Sequence, residues 1–296
     1  MPTTTETHPK DRGQKPPFPE PKQSAPGSEQ EMQTRPDHGE QSYRGLDRLR
    51  DKVALITGGD SGIGKAVAIA YAREGADVAF SYLPEEEEDA RETVHWIEEA
   101  GRRALPVPGD LTDENYCRGL VERTLGEFGR LDILVNNAAY QMTHEKLDEF
   151  SSEEWDHTFR TNIYAMFHLS KAALPRMKKG GAIINTASVQ AYQPKGHLLA
   201  YATTKGAIVT FTKALSELAI EEGVRVNAVA PGPVWTPLIP STMPEEKVKE
   251  FGKSDKLERP AQPAELAPAY VFLAATQESS YIVGSVLDLT GGRMLP

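Results

Sequence analysis

Tyr201 and Lys205 stand four residues apart, so on a helix the phenol and the ammonium share one face, a turn apart. A cation beside a phenol favours phenolate and draws its pKa toward the working range of an acid/base catalyst. Ser188, at the end of the apolar run Ala182–Asn185, can bring a hydroxyl into the same space. A phenol, a hydroxyl and an ammonium together suit proton transfer to or from a substrate oxygen. Alone, Tyr-x-x-x-Lys is common on solvated helix faces, so the weight rests on what accompanies it.

The companion is Val53–Gly64, where the apolar run Val53–Ile56 breaks into a turn with glycines at 58, 59, 62 and 64 and then into a helical pattern. Glycines let a pyrophosphate approach the backbone, and the helix that follows offers unpaired N–H groups and a positive dipole end. The remaining positioning elements follow the same alternation. Apolar runs recur at 53–56, 78–82, 104–107, 131–135, 182–185, 225–229 and 285–289. Helix-period segments fill 63–74, 85–100, 112–128, 151–178, 199–222 and 263–275. Repeated strand–helix units with near-continuous apolar strands predict α/β architecture: one Rossmann-type doubly wound parallel sheet of seven strands flanked by helices. In such a sheet the ligand lies at the carboxyl ends of the strands. Those ends carry Gly109-Asp110-Leu111, Asn136-Asn137-Ala138-Ala139, Thr186-Ala187-Ser188 and Pro231-Gly232-Pro233-Val234-Trp235-Thr236.

The chain of 296 residues has a formal net charge of −10 and no basic cluster, which argues against nucleic-acid and anionic-membrane binding. Its one cysteine, Cys117, excludes an intrachain disulfide and a multi-cysteine metal site, and no metal is expected. No apolar run is long enough for a membrane span or a signal peptide, so a soluble cytoplasmic protein is the expectation. Residues 1–45 are rich in proline and polar residues, which predicts an extension that is disordered or drapes over a neighbouring subunit through Phe18, Met32 and Tyr43. Residues 46–296 are expected to form one domain.

The motifs Thr57-Gly58-x-x-x-Gly62-x-Gly64, Asn136-Asn137-Ala138, Ser188, Tyr201-x-x-x-Lys205 and Pro231-Gly232 jointly resemble the short-chain dehydrogenase/reductase family, from Lys52 to Gly292. Within it, Gly-Gly-Asp-Ser-Gly-Ile-Gly and Gln190-Ala-Tyr-Gln-Pro194 are similar to a bacterial branch with a polar N-terminal extension. Its members are described as general-stress oxidoreductases, glucose/ribitol dehydrogenase-like proteins or aldehyde reductases. The resemblance implies hydride transfer between a nicotinamide and a small aldehyde, ketone, alcohol or sugar. Tyr201 would be the general acid/base, Lys205 its electrostatic partner and ribose ligand, and Ser188 the orienter of the substrate oxygen. Asn162 would complete a tetrad by holding a water.

The cofactor would lie against Gly58, Asp60, Ser61, Gly62, Ile63 and Gly64, with Asp110 and Leu111 at the adenine and Asn137, Ala138 and Ala139 along the ribose. Pro231, Gly232, Val234 and Thr236 would meet the nicotinamide end, together with Tyr201 and Lys205. The second strand ends in Ser81-Tyr82-Leu83, without the acid that selects NAD and without the basic residue that selects NADP. Glu85–Glu88 fit a solvated first helical turn, and branch resemblance tips the choice between NAD and NADP toward NADP. Substrate contacts are expected from Ser188, Gln190, Tyr201, Tyr140, Tyr192 and Trp235, with Met243–Phe251 as a lid. The family also implies a homotetramer. Two alternatives stand beside this reading: a noncatalytic dinucleotide-binding regulator on the same fold, and a glucose/ribitol-like sugar dehydrogenase rather than an aldehyde reductase.

Overall fold

The apolar runs become seven parallel strands in a single sheet, and the computed structural model describes residues 8–293. The ends of the two sequence segments, 1–7 and 294–296, lie outside the described residues. The strands are β1 (Val53–Thr57), β2 (Asp77–Tyr82), β3 (Ala104–Pro108), β4 (Ile133–Asn136), β5 (Ala182–Thr186), β6 (Arg225–Pro231) and β7 (Val286–Leu289). Their order is β3-β2-β1-β4-β5-β6-β7. Every residue of β1, β2, β5 and β6 is buried, as a sheet covered on both faces requires. Pro106 and Pro108, which cannot donate to a ladder, fall in the edge strand β3.

The principal helices are α1 (Gly62–Arg73), α2 (Glu87–Glu99), α3 (Glu114–Phe128), α4 (Ser152–Phe159), α5 (Ala165–Ala173) and α6 (Leu199–Ala219). Two short helices follow, α7 (Leu238–Thr242) and α8 (Glu245–Lys249), and then α9 (Pro263–Ala274). One sheet face packs on α1, α2 and α9, where Ala66, Ala70, Ala267 and Ala274 let helices approach closely. The other packs on α3, α5 and α6 around Leu120, Leu169 and Ala219. Cys117 sits inside this second core with its thiol pushed up to about 12 by burial, an inert group. The long helix expected over 151–178 is broken by a π turn at Arg160–Tyr164. The chain reverses direction across the sheet between β1 and β4, which pair with each other, and their diverging loops open a cleft there.

The N-terminal segment lies along the chain's own domain. Phe18 stacks on Trp235 with ring centroids 4.0 Å apart, and Met32 packs into the same cluster with Ile239 and Val248. The Trp235 indole donates to Thr34 O at 2.7 Å, and Gln23 N to Pro240 O at 3.2 Å. Farther along, Tyr43 Oη and the Arg48 guanidinium both donate to the buried Glu74 carboxylate, each at 2.6 Å. All three anchors named from the sequence therefore find their partners within one chain.

His38 is buried between Glu29, at 2.7 Å, and Glu40, at 2.9 Å. Burial opposes its charge, but the two carboxylates prevail and hold it at about 8 rather than 6.5. A raised histidine contributes stability that is complete below its unfolded pKa and is lost as pH rises through the folded one. Stability should therefore fall by an amount on the order of 1–2 kcal/mol between pH about 6.5 and about 8.5, and the melting temperature with it. Thermal melts of His38→Gln should lack that slope.

Candidate active site

Helix α6 begins at Leu199, so Tyr201 lies in its first turn and Lys205 in its second, both beneath the end of β5. Ser188 follows β5 in extended backbone, where its Oγ accepts from Gln190 N at 3.1 Å and its hydroxyl favours the ionised form of the Tyr201 phenol. Lys205 is almost wholly buried, its Nζ donating to Thr186 O at 2.8 Å and lying 5.1 Å from the centre of the Tyr201 ring. The three groups expected from the sequence thus come together.

Their electrostatics differ from expectation. Burial pushes the phenol up to about 12, against the pull of the Ser188 hydroxyl, and pushes Lys205 down to about 7. The ammonium is spent on the Thr186 carbonyl and lies over the ring rather than at the phenol oxygen, so desolvation outweighs its pull on Tyr201.

Asn162 lies in the π turn, a distortion that recurs at functional sites, and is buried. Its amide is used by protein groups: Oδ1 accepts from Tyr140 N at 2.7 Å, and Nδ2 donates to Tyr140 O and to Thr204 Oγ1, each at 3.0 Å. Asn162 therefore fixes the loop after β4 to α6, behind Tyr201 and Lys205.

Two cavities meet at Tyr201. The larger, about 450 Å³, runs along the β1/β4 cleft, and the smaller, about 290 Å³, opens on the far side. Tyr201, Thr186, Gln141, Ile63, Thr236 and Leu238 line both, which places the Tyr201 phenol at their junction. Gly58, Asp60, Ser61 and Gly62 line the larger cavity at one wall, Ser81 and Tyr82 at its far end. Asp110, Leu111, Asn137, Ala138, Ala139 and Lys205 complete the predicted set there. Pro231, Gly232 and Val234 instead line the smaller cavity.

Gly64 stands behind the turn, where an added Cβ would lie 1.7 Å from Gly58 O. Gly62 has φ +52°, and its Cβ would approach Thr236 Cγ2 to 3.0 Å. Asn137 braces this turn from the end of β4: its Nδ2 donates to Thr57 O at 3.1 Å and Gly58 O at 3.2 Å. Thr57 Oγ1 in return accepts from the N–H groups of Asn137 and Ala138. A narrow backbone cradle, a helix start and a long cleft leading to Lys205 fit an extended dinucleotide.

Several expectations need correction. Trp235 faces away from both cavities, fully buried under Phe18. Tyr192 packs against the cluster of Met166, Ala187 and Ile208 instead of lining a cavity. Tyr140 lines the larger cavity rather than the smaller, its ring edge-on to His157 at 4.5 Å. Gln190 does line the smaller one, beside Ser188. The segment Met243–Phe251 does border the smaller cavity, through Met243, Lys247, Glu250 and Phe251, with α8 inside it and Met243 and Phe251 also packed against the Trp235 cluster.

Glu85 and Glu86 face the larger cavity, so they are not simply a solvated helical turn. Glu86 is pushed up to about 8 by burial and by Asp60, and burial pushes Asp60 up to about 7. Sequence reasoning missed Thr186, whose carbonyl positions Lys205, and missed Ala25 and Pro26 of the N-terminal segment, which line the larger cavity. The place of Thr186 at a strand end was a signal for the first; no periodic pattern marks the second.

Known proteins resemble this chain over most of its length. Residues 58–293 match a family model described as enoyl-(acyl carrier protein) reductase. The chain is 52% identical over 270 residues to the uncharacterized oxidoreductase YhdF of Bacillus subtilis, covering 91% of this chain and 93% of that protein. It is 46% identical over 275 residues to the chloroplastic NADPH-dependent aldehyde reductase 1 of Arabidopsis thaliana, covering 91% and 96%. A crystal structure of a short chain dehydrogenase from Burkholderia cenocepacia in complex with NADP superposes with a TM-score of 0.77 at 33% identity, covering 83% and 98%. Among the described residues, no helix is long and apolar enough to cross a membrane.

Proposed function

Because the chain belongs to the short-chain dehydrogenase/reductase family, an NAD(P)-dependent group of oxidoreductases, we propose that it reduces small aldehydes, with Tyr201 as general acid. The observation that carries this reading is the placement of Tyr201 and its Ser188 partner where the dinucleotide-shaped cleft meets the second cavity. When bound, the nicotinamide supplies the hydride chemistry. Gly58, Ser61, Ile63 and Asn137 would hold the phosphates and ribose, and Lys205 the ribose nearest the reacting carbon. Ser188 donates a hydrogen bond to the carbonyl oxygen, and Tyr201 transfers a proton to it as negative charge develops. In alcohol oxidation the same groups take the proton back. The aldehyde reading draws support from the 46%-identical NADPH-dependent aldehyde reductase. A panel of small aldehydes, ketones, polyols and sugars, assayed with each dinucleotide, tests it; turnover confined to sugars would overturn the aldehyde assignment.

The same relative supports NADP as the preferred cofactor, and the adenosine end of the cleft makes that preference pH-dependent. Protonated, the Asp60 and Glu86 carboxyls donate hydrogen bonds; ionised, they repel a 2′-phosphate. Their raised pKa values, about 7 and about 8, put the change near neutrality. Affinity for NADPH relative to NADH should fall roughly three- to tenfold between pH about 6.5 and about 9, and Glu86→Gln should flatten the profile.

Helices α4 and α5 and the π turn between them expose Trp155, Tyr164 and Phe167, an apolar face that suits self-association. A homotetramer is the assembly this reading assigns, checked by light scattering.

A further inference from the structure

The N-terminal segment reaches the dinucleotide cleft itself. Glu29 is 2% exposed, and each of its carboxylate oxygens is committed. Oε1 accepts from Gly62 N at 2.7 Å and meets His38 Nε2 at the same distance. Oε2 accepts from Lys65 Nζ at 2.8 Å. The Glu29 N–H donates to Asp89 Oδ2 at 2.9 Å, so the residue is also tied to α2. Just upstream, Ala25 and Pro26 line the larger cavity, and Pro26 O accepts from Ser241 Oγ at 3.1 Å in α7. One segment therefore joins α7, the cavity wall and the glycine turn.

A carboxylate buried on these partners has a cost that only a specific arrangement offsets. Here Lys65 and His38 neutralise it, and the ion pairs fix the first turn of α1 from behind. With the Gly62 N–H taken by Glu29, the wall left to phosphates is the one where Ser61 and Ile63 face the cavity.

We propose that Glu29 is a positioning residue for dinucleotide binding: it clamps Gly62 and Lys65 so that the phosphate cradle is formed before the cofactor arrives. The N-terminal segment is then part of the cofactor site. This rests on the reading of the cleft as a dinucleotide site, and two readouts separate the two ideas.

The first is amide hydrogen exchange of the cofactor-free protein around Gly62. Glu29→Ala should speed exchange there at least tenfold while leaving β5 and β6 protected. The second is fluorescence titration with NADPH and with NADH. Glu29→Ala should weaken binding about ten- to a hundredfold and Glu29→Gln, which keeps an acceptor for Gly62 N–H, by less. In turnover the loss in Glu29→Gln should fall on KM for the dinucleotide more than on kcat. Unchanged exchange at the turn in folded Glu29→Ala, or unchanged affinity with a lowered melting temperature, would overturn the clamp. Failure of the parent protein to bind either dinucleotide would instead overturn the functional reading, and the exchange result would still decide the clamp.

Discussion

Tyr201→Phe should lower kcat for carbonyl reduction by about 10²–10⁴-fold while dinucleotide affinity stays within a few-fold of the parent. The substitution removes one hydroxyl from the junction of the two cavities and leaves the cradle at Gly58–Gly62 intact. It also removes the group on which the Ser188 hydroxyl acts, so Ser188→Ala provides the partner measurement. If Ser188 shares the developing charge on the substrate oxygen, the double variant should cost less than the product of the two single losses. Retention of most turnover by Tyr201→Phe would remove the phenol from the mechanism.

The second large effect belongs to Gly64→Ala. The added Cβ would sit 1.7 Å from Gly58 O and 2.8 Å from Asn137 Nδ2, and the first of these is backbone inside the turn. No rotamer change relieves that contact, so the turn must open or α1 must move off the sheet. The Asn137 bonds to Thr57 O and Gly58 O would break in either case. Dinucleotide affinity should drop at least about 100-fold, and the melting temperature should fall with it. Gly101→Ala is the control: its φ is positive, but nothing lies within 4 Å of the new Cβ, so it should cost stability without affecting affinity. Near-parental affinity in Gly64→Ala would mean that the cradle tolerates a different path from β1 into α1.

Much of this was legible in the sequence because the signals are local. The strands of the sheet show as apolar runs, and seven parallel strands flanked by helices are what the chain forms. Tyr201, Lys205 and Ser188 could be grouped because helix periodicity and strand ends fix where they lie. What escaped was set by tertiary contact. Trp235 follows a strand end, as substrate residues do, but a stacking partner more than two hundred residues away holds it inside. The expected pull of Lys205 on the phenol took spacing as proximity of charge to oxygen, whereas the Thr186 carbonyl holds the ammonium elsewhere. Glu29 carries no pattern at all, because its partners Gly62, Lys65 and His38 meet only in the folded chain. Glu86 belongs to the same class: an acid in a run of acids, distinguished only by the cleft it faces.

The most direct test of the central claim is a stoichiometry measurement on the purified full chain, with reduced dinucleotide and a small aldehyde. The account predicts that one alcohol forms for each dinucleotide oxidised, that oxidation requires the aldehyde, and that Tyr201→Phe suppresses both together. Tight dinucleotide binding with no alcohol formed from any member of a broad carbonyl panel would contradict it, and would leave a binding protein on an enzyme's fold.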